Sequence, residues 1–313
     1  MGGATIYLKE KKHMSNKNTL NKALIRRETR AGYLFMLPSL IFFIGFVIVP
    51  MVMCVITSLF DSTMGKDAVD VFIGFQNYIE LFHDPIFLRA FRNTLIIVVV
   101  SVPVVCAFSL WVATVIYDLK GWATSAFRII FYLPVVTGSV AVTVVWKWMF
   151  NNYYGIFNYL GKSAGLITEN INWLGDERFA LGCIILILLT TSIGQPIVLY
   201  VSALGNVDQS LIEASQVDGA TRNQIFWRIK WQQIMPTTLY ILIITTINSF
   251  QCFALIQLLT SGGPNHSTDT IMYYIYYTSF KLYRYGYANA MGVVLAIIIA
   301  IISAIQYKLG QEK

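Results

Sequence analysis

The sequence is short of charged residues. Only 12% of its 313 residues are Asp, Glu, Lys or Arg, whereas 56% are hydrophobic. Soluble domains carry about 25% charged residues, so this composition argues against a soluble protein and indicates a membrane protein. Reactive side chains are scarce as well. The four cysteines lie singly within apolar stretches and the three histidines are scattered, so neither a disulfide framework nor a metal site is predicted.

Charge is missing altogether from six long stretches of the chain. A helix that crosses a bilayer needs about 20 mostly apolar residues. Five of the stretches exceed that length, and the third reaches it by continuing past Lys147, whose amine can extend to the membrane surface. The sequence therefore predicts an all-α membrane protein. Its six transmembrane helices are expected at 32–60, 93–117, 129–150, 179–205, 233–260 and 286–307.

The distribution of basic residues predicts the orientation. With the N-terminus in the cytoplasm, the inner segments hold 15 of the 23 Lys and Arg residues. Both termini are therefore expected in the cytoplasm, with a basic tail over 1–30, a six-helix transmembrane domain over 31–307 and a short end over 308–313. The net charge of +7 is explained by this topology and by contact with the lipid bilayer, so it gives no support to a nucleic-acid partner.

Between their flanks the predicted helices carry no Asp, Glu, His, Lys or Arg, since Lys147 lies near the end of the third helix. Proton- and sodium-coupled carriers usually place Asp, Glu or His at membrane depth, because such a costly charge is kept for function. This absence argues against a secondary carrier, and the lack of any His, Cys or carboxylate cluster there argues against a membrane enzyme. Energy for any transport must then come from elsewhere.

The segment between the fourth and fifth apolar stretches has the pattern of two short helices. Ser210 and Glu213 have the spacing of a capping box, which predicts a helix from residue 211. Gly219 can adopt the positive φ of a tight reversal. Thr221 and Gln224 repeat the box and predict a second helix that leads into the membrane. The result is a helix-turn-helix at the membrane surface.

This segment, LIEASQVDGATRNQIFWRIKWQQIMP over 211–236, resembles the EAA loop, the cytoplasmic coupling element of permease subunits in ATP-binding-cassette (ABC) importers. Further likenesses are YLFMLP at 33–38, GFQNY at 74–78, RIIFYLP at 128–134, LLTSGGP at 258–264 and the stretch 280–287. Over nearly everything after residue 30, the chain is similar to a permease subunit of the type I ABC sugar importers, the group that includes the maltose and multiple-sugar systems.

The resemblance implies a type I importer transmembrane domain in the bacterial cytoplasmic membrane. It implies three kinds of protein partner: a second permease, an ATPase dimer that binds ATP–Mg, and an extracytoplasmic solute-binding protein. The chain itself should need no cofactor. The coupling loop, 208–236, should insert between the subdomains of the ATPase. Its coupling residues are expected to be Glu213, Ala214, Asp218 and Gly219. One departure is visible: the proline that the family commonly carries after the second coupling helix is missing beyond Ile229, whereas Pro236 is retained.

Small polar residues on the fourth and fifth helices are candidates for the solute path. They are Thr245, Asn248, Ser249 and Cys252, at helical spacing, with Ser192 and Gln195 beside a predicted break at Gly194. The resemblance implies that Thr245, Ser249 and Cys252 match positions that line the sugar path in maltose-type importers. Interhelical packing is the alternative for each of these residues. The absence of Lys and Arg from these helices favours a neutral oligosaccharide, and a glycerol-phosphate importer remains the alternative.

Overall fold

A computed structural model describes residues 28–63, 70–117, 119 and 122–311. Most of the predicted basic tail, and the last two residues of the chain, lie outside the described residues. The chain divides into two compact units, Met1–Ile56 and Thr57–Lys313. In the first unit the structure describes most of one helix, α1 (Glu28–Thr57), which contains a π-helical stretch at Ile44–Ile48. Pro50 lies two residues beyond that stretch, and its missing N–H and bulky ring explain the widened turn.

The second unit is helical apart from a two-stranded antiparallel sheet in which Phe60 pairs with Phe72. The strands are β1 (Phe60–Asp61) and β2 (Val71–Phe72). The helices are α2 (Gln76–His83), α3 (Pro85–Tyr117), α4 (Trp122–Val136), α5 (Ser139–Met149), α6 (Ile156–Ser163), α7 (Ala180–Ser192), α8 (Gly194–Gly205), α9 (Gln209–Val217), α10 (Arg222–Ile225), α11 (Trp231–Phe250), α12 (Ala254–Leu259), α13 (Ile271–Phe280) and α14 (Tyr285–Gln311).

Within the described residues, four helices are long and apolar enough to cross a membrane. They are α1, α3, the combined α7–α8 and α14. A fifth span is possible if α4 and α5 are counted together, although they are bent by 96° at a short break. The predicted third helix is therefore not continuous. It breaks at Thr137 and Gly138, just after Pro134, whose missing N–H weakens the preceding turn.

The predicted fifth helix is also corrected by the structure. Instead of running over 233–260, α11 ends at Phe250, and a separate short helix, α12, follows at Ala254–Leu259. At the break, the hydroxyl of Thr270 donates a hydrogen bond of 2.7 Å to the carbonyl oxygen of Cys252. A buried carbonyl that leaves the helix needs such a partner, and Thr270 supplies it from the far side of the loop.

Three apolar clusters hold the second unit together. One joins α3, α11, α13 and α14 around Phe250 and Met291, and another, around Phe150 and Ile256, joins α5–α7 to α12. The remaining cluster, around Tyr200 and Ile234, also contains Ile212 of α9 and Ile225 of α10. The short helices between α8 and α11 are thereby packed directly against the long ones.

Candidate coupling segment and translocation cavity

The first helix of the coupling segment begins two residues earlier than predicted. Asp208 is the N-cap, and its Oδ1 accepts hydrogen bonds from the amide and the hydroxyl of Ser210, at 2.9 and 2.8 Å. The predicted capping box of Ser210 and Glu213 is therefore wrong, because Ser210 already lies inside the first turn. The hydrogen bonds from the Ser210 hydroxyl and amide lower the pKa of Asp208, which keeps the cap ionised.

The reversal and the second helix follow the prediction. Gly219 has φ of +79°, a conformation that costs a residue with a side chain about 1–2 kcal/mol. The capping box of Thr221 and Gln224 is present, with the Thr221 amide 2.8 Å from Gln224 Oε1. From Arg222 the backbone stays helical through a π-helical stretch, Phe226–Lys230, into α11. The coupling segment is thus joined to a long helix without a break, as predicted. The π-helical stretch lies just before the place where the proline of the resemblance is missing.

The two faces of α9 differ in burial. Ile212 is 8% exposed and packs in the cluster around Tyr200, and Ile225 of α10 is buried in the same cluster. The four predicted coupling residues, Glu213, Ala214, Asp218 and Gly219, are all exposed. A displacement of α9 would therefore be transmitted through packed side chains to α3 and α8, since close-packed interiors deform little.

A cavity of about 140 Å³ lies between α11 and the junction of α7 with α8. Four of the six predicted path residues line it: Ser192, Gln195, Thr245 and Asn248. Thr191 and Tyr240 add further hydroxyl groups, and the remaining lining side chains are uncharged. Sequence reasoning missed Tyr240, although two steps of four residues back from Asn248 lead to it along one helix face.

The other two predicted path residues lie elsewhere. Ser249 is buried, and its Oγ is 3.0 Å from Ser101 Oγ on α3, so its hydroxyl joins two helices. Cys252 follows the end of α11 and lines a separate cavity of about 320 Å³, together with Thr137 and Gln251. The six residues therefore do not share one surface.

At the break between α7 and α8, the backbone of Gly194 comes close to the backbone of α4. A methyl group on Gly194 would clash with the carbonyl oxygen of Phe131 on α4. The hydroxyl of Ser109 on α3 donates to the carbonyl of Ile193 at 3.3 Å, satisfying one of the carbonyls at the irregular turn. The wall of the 140 Å³ cavity is thus built where only glycine permits the helices to approach.

Comparison with known proteins decides the family. Residues 78–312 match the family described as the binding-protein-dependent transport system inner membrane component. The chain belongs to this family. It is therefore a membrane-embedded transport subunit, and the prediction of a transport protein in place of an enzyme is confirmed.

Relatives of this inner membrane component extend over almost the whole chain. The lactose transport system permease protein LacF of Rhizobium radiobacter is 30% identical over 285 residues, covering 90% of this chain and 94% of LacF. The multiple sugar-binding transport system permease protein MsmF of Streptococcus mutans is 30% identical over 281 residues, covering 90% and 95%. The predicted likeness to ABC sugar-importer permeases is confirmed.

A solved structure agrees with the fold. A chain of the bacterial alginate ABC transporter, crystallised in complex with a periplasmic protein that holds an alginate pentasaccharide, superposes with a TM-score of 0.79. The two chains are 25% identical, and the match covers 91% of this chain and 96% of the alginate transporter chain. The inner membrane component described here therefore has the fold of an ABC importer permease.

Proposed function

We propose that this permease forms half of the translocation path of an ATP-driven importer for a neutral oligosaccharide. It would cross the bacterial cytoplasmic membrane six times with both termini in the cytoplasm. A second permease would complete the path, two ATPase subunits would bind ATP–Mg and receive the coupling segment, and an extracytoplasmic binding protein would deliver the sugar. The family match, the sugar-transport relatives and the periplasmic protein of the alginate transporter support this arrangement.

The chemistry of the 140 Å³ cavity carries the choice of solute. Its amides and hydroxyls, from Gln195, Asn248 and Thr245, can exchange hydrogen bonds with sugar hydroxyls, and the ring of Tyr240 offers an apolar face. Lys and Arg are absent from its lining. A phosphorylated solute would call for such a cation, so the cavity favours a neutral oligosaccharide over the alternative, glycerol phosphate.

The size of the cavity supports a second permease. Ligand pockets usually enclose about 300–1,000 Å³, whereas this cavity measures about 140 Å³. One wall of a sugar site, open toward a partner, explains a cavity of this size. The partner could be a different permease or a second copy of this chain, and the resemblance to sugar importers favours a different one.

The first test is Asn248→Trp, which would fill the cavity with an indole ring. Uptake of labelled oligosaccharide into proteoliposomes containing the whole importer should fall to background, because the solute can no longer pass this wall. Ser249→Trp would be a poorer test, since Ser249 is packed against α3 and its replacement would disturb folding.

The matched control is Ile297→Trp, which adds the same ring to an exposed position of α14. It should assemble and transport normally. Full uptake by the Asn248 variant, with assembly intact, would contradict the assigned path. Import of glycerol 3-phosphate in preference to any neutral sugar would favour the alternative solute.

The second test concerns the coupling segment. Glu213→Lys reverses a charge on the exposed face of α9 and should reduce ATP-driven uptake more than about tenfold, since a misplaced charge at a docked interface costs several kcal/mol. Co-purification of the ATPase and initial uptake rates would be measured together. Glu177→Lys, the same reversal on an exposed residue of the segment before α7, should leave both unchanged. Uptake that needs no ATP would point instead to a stand-alone carrier.

A further inference from the structure

A separate cavity of about 570 Å³ lies behind the coupling segment. It is enclosed by the end of α3, by α9 and by the stretch from Arg222 to Lys230. Thr114 and Tyr117 line it from α3, and Gln216 lines it from α9. None of its lining residues belongs to the 140 Å³ cavity, so the two spaces are separate.

The cavity is lined by two cations and by no acidic side chain. Lys230 Nζ lies 5.2 Å from the centre of the Tyr117 ring, and Arg222 also lines the cavity. Neither residue takes part in a salt bridge with any other residue that the structure describes. Two positive charges without an internal counter-ion favour an anionic ligand.

The rest of the lining is apolar and lies beside exposed tryptophan. Leu204, Ile225 and Phe226 are among the cavity's lining residues. Next to it, Trp227 is exposed and its ring centre is 5.6 Å from that of Trp231. Tryptophan collects at the boundary between membrane and water. A ligand with both a negative head and an apolar body fits this setting better than a soluble anion does.

We propose that this cavity binds an anionic phospholipid through its phosphodiester group. Arg222 and Lys230 would contact the phosphate, and Leu204 and Phe226 the first carbons of the acyl chains. This inference rests on the proposed orientation, which places the cavity at the cytoplasmic leaflet, where anionic lipids and polybasic segments meet. Because Gln216 belongs to α9, the bound lipid holds the coupling segment against the end of α3.

The experiment uses the complete importer in nanodiscs of phosphatidylcholine containing increasing fractions of phosphatidylglycerol. The complex is released into detergent, and native mass spectrometry counts the phosphatidylglycerol molecules that remain bound. Arg222→Gln and Lys230→Gln should each weaken retention about fivefold, the effect expected for one cation removed from a membrane surface. Thr114→Phe, which fills the cavity without changing charge, should weaken retention too.

Arg228→Gln is the matched control, because Arg228 is an exposed cation of the same π-helical stretch and does not line the cavity. It should retain lipid like the unmodified chain. Equal losses in all three charge variants, or a loss in none of them, would overturn the proposal. Release of the lipid by inorganic phosphate alone would assign the cavity to a soluble anion instead.

Lipid retention is read without any transport step. A complex that keeps phosphatidylglycerol but imports no sugar would therefore count against the proposed function and leave this inference standing. A complex that imports sugar normally, but retains lipid equally well after either glutamine substitution, would count against this inference and leave the proposed function standing. Since both side chains are at least partly exposed and have no hydrogen-bonding partner among the described residues, their glutamine variants should fold.

Discussion

Asp84 connects three helices through one carboxylate. Its Oδ1 accepts the amide of Ile86 in the first turn of α3, at 2.8 Å. Its Oδ2 accepts the hydroxyls of Tyr274 on α13 and Tyr287 on α14, at 2.7 and 2.8 Å. Partial burial alone would raise the pKa of this carboxyl, but the hydrogen bonds from the two tyrosines and from backbone amides outweigh it, so the pKa is lowered.

Asp84→Asn should destabilise the protein by about 1–3 kcal/mol, because a neutral amide accepts these hydrogen bonds less well and its NH₂ group faces donors. The melting temperature of the purified protein in detergent would measure the loss. Asp176→Asn is the control, since Asp176 pairs with the exposed Arg178 and surface ion pairs contribute little to stability. Equal melting temperatures for the two variants would contradict the role given to Asp84.

The same carboxyl predicts a dependence on pH. Its pKa is lower in the folded protein than in the unfolded chain, where an aspartate titrates near about 3.9. Its contribution is therefore complete above that value and disappears as the pH falls through the folded pKa. The difference in melting temperature between the unmodified chain and Asp84→Asn should be constant from pH 7 to about 5 and shrink below about 4. If the difference in melting temperature instead increased below about pH 4, the predicted direction of the pH dependence would be wrong.

Hydrogen bonds between residues close in the sequence could be predicted in part, whereas those between distant residues could not. The capping box of Thr221 and Gln224 involves neighbours three positions apart, so the sequence alone indicated it. At Ser210 the same reasoning failed, because Asp208 offers an equally good acceptor two positions earlier. Asp84 received no role at all, since its tyrosine partners are 190 and 203 positions away.

Among the helices, the contact of α4 with the α7–α8 junction determines the wall of the 140 Å³ cavity. Gly194→Ala should push these helices apart, because the new methyl group meets a backbone carbonyl, at Phe131, that cannot rotate away. A cost of about 1–3 kcal/mol is typical of such overpacking, and oligosaccharide uptake should fall with it. Thermal stability and uptake would be measured on the same preparation.

Gly182→Ala is the matched substitution, since it lies in α7 and a methyl group there meets nothing within 4 Å. It should be neutral or slightly stabilising, as alanine favours a helix over glycine. If the two variants had the same thermal stability and the same uptake, the close approach at Gly194 would not be required for either.

Helix boundaries were harder to predict than helices. The apolar stretch that includes α11 continues through Leu255 and Ile256, both buried, so hydrophobicity gave no sign of the break after Phe250. The break depends on Thr270, which meets the carbonyl of Cys252 from another part of the chain. For this reason Cys252 was expected on one helical stripe with Thr245, although it lies beyond the end of the helix.

For the molecule as a whole, six membrane crossings require both the bent pair α4–α5 and α11 to cross. The 20 residues of α11 span about 30 Å, the thickness of a bilayer core. Yet α11 is not among the four helices of the described residues that are both long enough and apolar enough to cross a membrane. Polar residues such as Gln232, Gln233 and Asn248 lower its hydropathy, and Asn248 lines the 140 Å³ cavity. A helix that serves a polar path is expected to be the least apolar span.

Reporter fusions would decide whether α11 crosses. With six crossings, alkaline phosphatase should be active when fused after Asn170 or Asn265 and inactive after Asp218 or Lys313, because the enzyme folds only outside the cytoplasm. Green fluorescent protein should give the reverse pattern. If α11 stayed on the inner surface, the fusion after Asn265 would be inactive and the one after Lys313 active. That result would place the C-terminus outside and leave the coupling segment joined to a helix that lies on the membrane, so the proposed transmission from α9 into the solute path would have to be abandoned.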